Sequence, residues 1–213
     1  MEKNIKIIII FSIFLVCGIL GTTAYSFSND INLDIRLDGE NVSVRSLAIP
    51  FGKDMDAMEN EILDYSLKEM NNVDSNIITF KYGISRIAEK YGFTNINIDL
   101  SSQFGKDKLP MIITVDGISM VPTLQDGEKV IIEKTKNFKV GDIVVAKDSE
   151  YGLLIKRVGY ISGDQVFLSS DNNDTIHIYE NGRYYRMIAV EKWTDTSNIV
   201  GVARIFNIRE LNN

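Results

Sequence analysis

The chain has 213 residues, 45% of them apolar and 24% charged, a balance that fits a folded body with its own core. Its formal net charge is −6, from 23 Lys and Arg against 29 Asp and Glu, so there is no basic footprint for nucleic acid. A single cysteine, Cys17, excludes an intramolecular disulfide.

In chain order, the first element is an apolar run, IKIIIIFSIFLVCGILGTTA at residues 5–24. From Ile7 to Ala24 it carries no charge over about 18 residues, close to the ~20 that span a bilayer as a helix. Lys3, Lys6 and the amino terminus precede it, against Glu2 alone, which predicts a cytoplasmic flank and a body beyond the membrane. Two outcomes stay open for residues 1–27: a retained anchor, or a signal segment removed near Ala24-Tyr25-Ser26. Cys17 follows Val16 inside this run and reads as a small buried residue. The sequons Asn41-Val42-Ser43 and Asn173-Asp174-Thr175 are compatible with an exported body.

Residues 28–108 read as a small α/β region. Segments 31–37 and 94–100 alternate apolar and polar residues, as half-buried strands do. Between them, 54–72 carries Met55, Met58, Ile62, Tyr65 and Leu67 near helical spacing, and a second helix fits 75–91. These methionines and aromatics read as core, and the region shows no chemistry.

Residues 109–213 change character, to short β-branched strands at 111–115, 129–133, 142–146, 152–158, 165–169 and 199–206. Asp116-Gly117, Asp126-Gly127, Gly141-Asp142, Gly163-Asp164 and Asn181-Gly182 mark turns between them. Strands at this interval, without helical pattern between, predict an antiparallel β-barrel or folded sheet.

The chemistry lies in this β region. Asp116-Gly117-Ile118-Ser119-Met120-Val121-Pro122-Thr123-Leu124 sets a serine just after a strand and a glycine turn, which exposes the hydroxyl and frees its backbone N–H. In Leu153-Leu154-Ile155-Lys156-Arg157-Val158, alternation puts Leu154, Lys156 and Val158 on one face and Ile155 and Arg157 on the other. One of two adjacent cations must then share the buried face of Leu154 and Val158. A lysine there loses water, which disfavours its charged form, and a neutral lysine is a competent base for a serine hydroxyl. An isolated lysine in a strand more simply packs its stem and sends its ammonium to water. The serine segment 37 residues upstream favours the base.

Together, Gly117 to Leu124, Gly141-Asp142-Ile143-Val144, Lys156-Arg157-Val158, Gly163-Asp164 and Ser170-Asp171-Asn172 resemble the signal peptidase I family and the related self-cleaving SOS-type repressors. The resemblance covers roughly residues 108–206 and implies a mainly β, signal-peptidase-like catalytic domain at 109–213. Before it would come the α/β accessory region and an N-terminal transmembrane helix. It implies Ser119 as nucleophile and Lys156 as general base, with the Ser119 N–H in the oxyanion hole and Gly117, Met120 and Val115 beside the substrate. A substrate strand would pair along Met111 to Val115. Substrates would be exported preproteins with small residues near the scissile bond. Membrane lipid would be met through the N-terminal helix, and no metal or other cofactor is called for.

The sequence departs from the family at three places. Gly117 stands where many signal peptidases carry a serine, leaving a second oxyanion donor to backbone or water. No serine matches the position that orients the lysine, with Thr175 the nearest candidate. His177, the sole histidine, does not match the histidine that replaces the lysine in endoplasmic-reticulum-type members, and reads as a strand residue. Asp142 and Asp171 read as groups that hold turns and neighbours. Three other readings remain: a catalytically inactive tethered module of the same fold, a self-cleaving regulator, and a secreted β-rich binding protein. The apolar N-terminus and acidic charge disfavour the regulator, and the binding protein leaves Ser119, Pro122 and Lys156 unexplained.

Overall fold

The computed structural model describes residues 29–206 apart from 40, 50, 51, 175, 181, 182, 188 and 189, with the backbone alone for 176–180 and 183–187. The expected N-terminal span and Thr175 lie outside the described residues. Among those described, no helix is long and apolar enough to cross a membrane.

The first layer pairs β1 (Asp30–Asp38) with β2 (Asn41–Ala48) antiparallel and with β3 (Asn95–Ser102) parallel, and β4 (Gly105–Lys106) closes the order β2-β1-β3-β4. A parallel β1–β3 pair needs a crossover, and two helices, α1 (Met55–Met70) and α2 (Ile77–Lys90), provide it. Alternation in β1 sends Ile31, Leu33, Ile35 and Leu37 into the core, where Met58, Ile62, Phe80 and Ile84 from the helices meet them. Asp54 starts α1 by accepting from the Ala57 N–H, and Asn76 with Thr79 forms a capping box on α2. The buried stripe of α1 is Met58, Ile62, Ser66 and Met70. Leu67, one residue off that four-residue spacing, is exposed. The sequence pattern includes Leu67 in the apolar set and does not mark β2, whose outward positions are mostly polar.

The second layer is a seven-stranded sheet. Its strands are β5 (Pro110–Thr114), β6 (Lys129–Glu133), β7 (Ile143–Asp148), β8 (Gly152–Ser162), β9 (Gln165–Ser169), β12 (Lys192–Asp195) and β13 (Ile199–Ile205), in the order β12-β9-β8-β7-β13-β6-β5. All of its pairings are antiparallel, and β5 and β12 are edges, so the folded sheet and not a closed barrel is realised. Strands β10 (Ile176–Glu180) and β11 (Arg183–Met187) form a separate hairpin, with His177 in β10. Neither this hairpin nor β12 was marked by the sequence pattern. The run Ile143-Val144-Val145-Ala146 is buried throughout because β7 has a core on each face: Ile143 and Val145 face one, Val144 and Ala146 the other.

Lys134 joins the layers. Its Nζ donates to the Glu69 and Asn72 carbonyls at the end of α1, at 3.1 and 2.6 Å. Burial lowers its pKa to about 8. Gly201 marks a second close approach, where a Cβ would lie 2.3 Å from the Glu133 carbonyl oxygen. A backbone oxygen inside a sheet has nowhere to retreat. Gly201→Ala should therefore cost about 3 kcal/mol, read as a lower urea midpoint at unchanged slope. A loss under about 0.5 kcal/mol would mean that β13 and β6 separate more easily than their packing indicates.

Candidate active site

Ser119 sits on the loop from β5 to β6. The hairpin continues past β5, with the Val115 N–H donating to the Glu128 carbonyl and the Gly127 N–H to the Val115 carbonyl. Gly117 then turns the chain at φ +88°, a conformation that L side chains rarely adopt, and its N–H donates to Asp126 Oδ1 at 2.8 Å. Met120 and Leu124 are fully buried, and the Leu124 N–H donates to the Met120 carbonyl. The loop is thus pinned just after Ser119. The Ser119 N–H donates to no protein acceptor among the described residues.

Lys156 comes from β8, opposite Val144 in the register and on the face of Val158, as alternation predicts. It is 4% exposed, and its Nζ lies 2.5 Å from Ser119 Oγ in a hydrogen bond. Burial pushes its pKa below the ordinary lysine value, while the Asp171 carboxylate pulls the other way. The sign favours a neutral amine at a lower pH than a lysine in water would allow.

Three neighbours hold this pair. Asn172 donates its backbone N–H to the Ser119 carbonyl at 2.9 Å and its side-chain amide to the Ile118 carbonyl at 3.1 Å. Asp171 takes two bonds from Arg157, at 2.7 and 2.5 Å, and a third from the Thr123 hydroxyl at 2.5 Å. Those bonds hold the Asp171 carboxyl below its usual range, with the Arg157 guanidinium the leading cause. Arg157 also donates to the Gly141 carbonyl at 2.7 Å. Four of the five sequence segments that carry the resemblance, all but Gly163-Asp164, are therefore one hydrogen-bonded unit. Asp142 holds its own turn by accepting from the Lys139 N–H, and the Ser170 hydroxyl donates to the Val190 carbonyl.

A groove of about 370 Å³ opens beside the pair, walled by Ile112–Thr114 of β5, Val145 of β7 and Leu153–Ile155 of β8, with Asp116, Ser119 and Lys156 at its surface. Gly117, Met120 and Val115, expected beside a substrate, do not line it. Gly117 has given its N–H to Asp126, the Met120 side chain is core, and Val115 uses both backbone groups on the hairpin. Antiparallel alternation leaves Ile112 and Thr114 with their backbone groups facing the free edge. Both fall within the Met111 to Val115 stretch that the resemblance implies for strand pairing; which alternate residues of it face outward depends on the partner that the strand pairs with.

The Peptidase S24-like family model matches residues 77–192, more than half of the chain. The chain belongs to the Peptidase S24-like family. That is a family of serine peptidases. The chain is also similar to signal peptidase I U of Bacillus subtilis (strain 168), with 36% identity over 62 residues. That match covers 27% of this chain and 33% of the relative, so it spans about a third of the relative's length. The family match begins at α2, so it takes in part of the α/β layer as well as the sheet.

Proposed function

We propose that this chain is a membrane-anchored serine endopeptidase that removes signal peptides from exported preproteins, with Ser119 as nucleophile and Lys156 as general base. The observation that carries the reading is the 2.5 Å contact between Lys156 Nζ and Ser119 Oγ, with the lysine buried and its pKa lowered. The apolar run at residues 5–24 supports an anchor, and the charges before it support a catalytic body outside the cytoplasm.

In this mechanism a substrate lies extended in the groove and pairs with the free edge of β5 through Ile112 and Thr114. With the amine neutral, the Ser119 hydroxyl donates to Lys156 Nζ. Lys156 takes that proton as Oγ attacks the scissile carbonyl. The Ser119 N–H is free to meet the developing oxyanion, a contact worth a few kcal/mol in acyl transfer. Collapse breaks the C–N bond, and Lys156 returns its proton to the leaving amine. Water, deprotonated by Lys156, then hydrolyses the acyl-enzyme and frees Ser119.

The test uses the full chain in detergent or lipid, with a preprotein that bears a small-x-small cleavage site. The parent should cut it at that site, and Ser119→Ala, matched by circular dichroism, should not. Equal cleavage by both would assign the activity elsewhere. Failure of the folded parent on several such preproteins would remove signal-peptide cleavage from the reading.

A further inference from the structure

The groove contains an acidic group that the mechanism does not use. Its walls from β5, β7 and β8 are largely aliphatic, and such walls sort side chains by size and not by the sign of their charge. Two charged residues line it, Asp116 and Lys156. Lys156 is buried and bonded to Ser119. Asp116 is exposed and, among the described residues, makes no hydrogen bond or ion pair. The nearby Asp126 is the one that accepts from the Gly117 N–H. Asp116 lies two residues beyond Thr114, the end of β5, lines the same groove as Ile112 and Thr114, and precedes Ser119 by three residues. A strand paired along that edge therefore passes Asp116 next to the bond that Ser119 attacks.

We infer that Asp116 is a specificity determinant. It favours substrates with a lysine or arginine side chain beside the scissile bond and disfavours aspartate or glutamate there. The inference deepens the peptidase reading and rests on it for the term scissile bond. A cation meeting this carboxylate is a partly exposed ion pair, so the preference is modest and sensitive to salt.

The experiment uses one cleavable peptide in which Lys, Gln or Glu replaces each residue flanking the cleavage point in turn. Binding to the full-length Ser119→Ala chain is read by fluorescence anisotropy, and kcat/KM is read with the parent. At one flanking position Lys should exceed Glu by about fivefold, and the ratio should shrink as salt is raised to about 0.5 M. Asp116→Asn should bring that ratio close to one, and Asp116→Glu should restore most of it. A ratio unmoved by Asp116→Asn, or no charge preference at any position, overturns the inference. If the Ser119→Ala chain binds with the expected preference while the parent cuts no peptide, the groove assignment stands and the peptidase reading falls.

Discussion

Lys156→Met is expected to lower kcat/KM by about 10³-fold or more while the protein stays folded and becomes no less stable. Methionine keeps the length of the side chain and fills the space beside Val144 and Val158 without a titratable group. Removing a general base costs about 10²- to 10⁴-fold, and more when base and nucleophile act as a unit. Stability should hold because the buried lysine carries a desolvation cost that methionine lacks. The parent's own pH profile belongs to the same prediction. Only the neutral amine accepts the Ser119 proton, so the rate should rise with pH and level off once Lys156 is deprotonated. Since burial lowers the Lys156 pKa, the midpoint should fall below the ordinary lysine value of 10.5. A Lys156→Met protein that retains most of its activity, or a parent profile that falls with rising pH, would remove Lys156 from proton transfer.

Asp171→Ala should produce the second largest change, in both stability and rate. The Asp171 side chain is 12% exposed and holds Arg157 and Thr123 together, so its loss strands a guanidinium whose own side chain is 34% exposed. Breaking a fully buried pair costs about 3–5 kcal/mol, and partial exposure of Arg157 reduces the expectation to about 2 kcal/mol. The same clamp ties the Ser119 loop, through Thr123, to the strand that bears Lys156. Its release should therefore lower kcat/KM by at least about tenfold through misplacement of the pair. The pH dependence has a definite sign. Bonding to Arg157 holds the Asp171 carboxyl below its unfolded value of about 3.9. Its contribution is therefore complete above that value and is lost as pH falls through the depressed folded one. Urea unfolding of parent and variant at neutral pH and in acid should show the gap closing only in acid. Asp171→Asn, which keeps acceptors for Thr123 and for one Arg157 nitrogen, should fall between the two. A variant with unchanged activity despite the lost stability would confine Asp171 to holding the fold.

Local pattern in the sequence carried much of the architecture. β1 and β8 were legible because a period of two is imposed wherever one face of a strand meets a core, and the two helices because their spacing and caps are local. The same alternation put Lys156 on the face of Val158, and the structure has it there at 4% exposure. β2 was missed because its outward residues are largely polar, and β12 because four residues are too few to show a period.

What the tertiary structure alone decided is pairing across distance. Nothing local says that Asn172 binds the Ser119 carbonyl or that Arg157 bridges Asp171 to Gly141, because those contacts form only when the sheet folds. Nor could the sequence tell that Val115 points its backbone inward while Ile112 and Thr114 face the free edge. A residue type sets what a group can donate or accept, whereas its partner is set by strand order and register. The sequence by itself thus determined the kinds of residue available for the chemistry and the face on which Lys156 lies. The tertiary structure determined that Lys156 reaches Ser119, since a 37-residue separation closes to a 2.5 Å contact only through the packing of β5, β7 and β8.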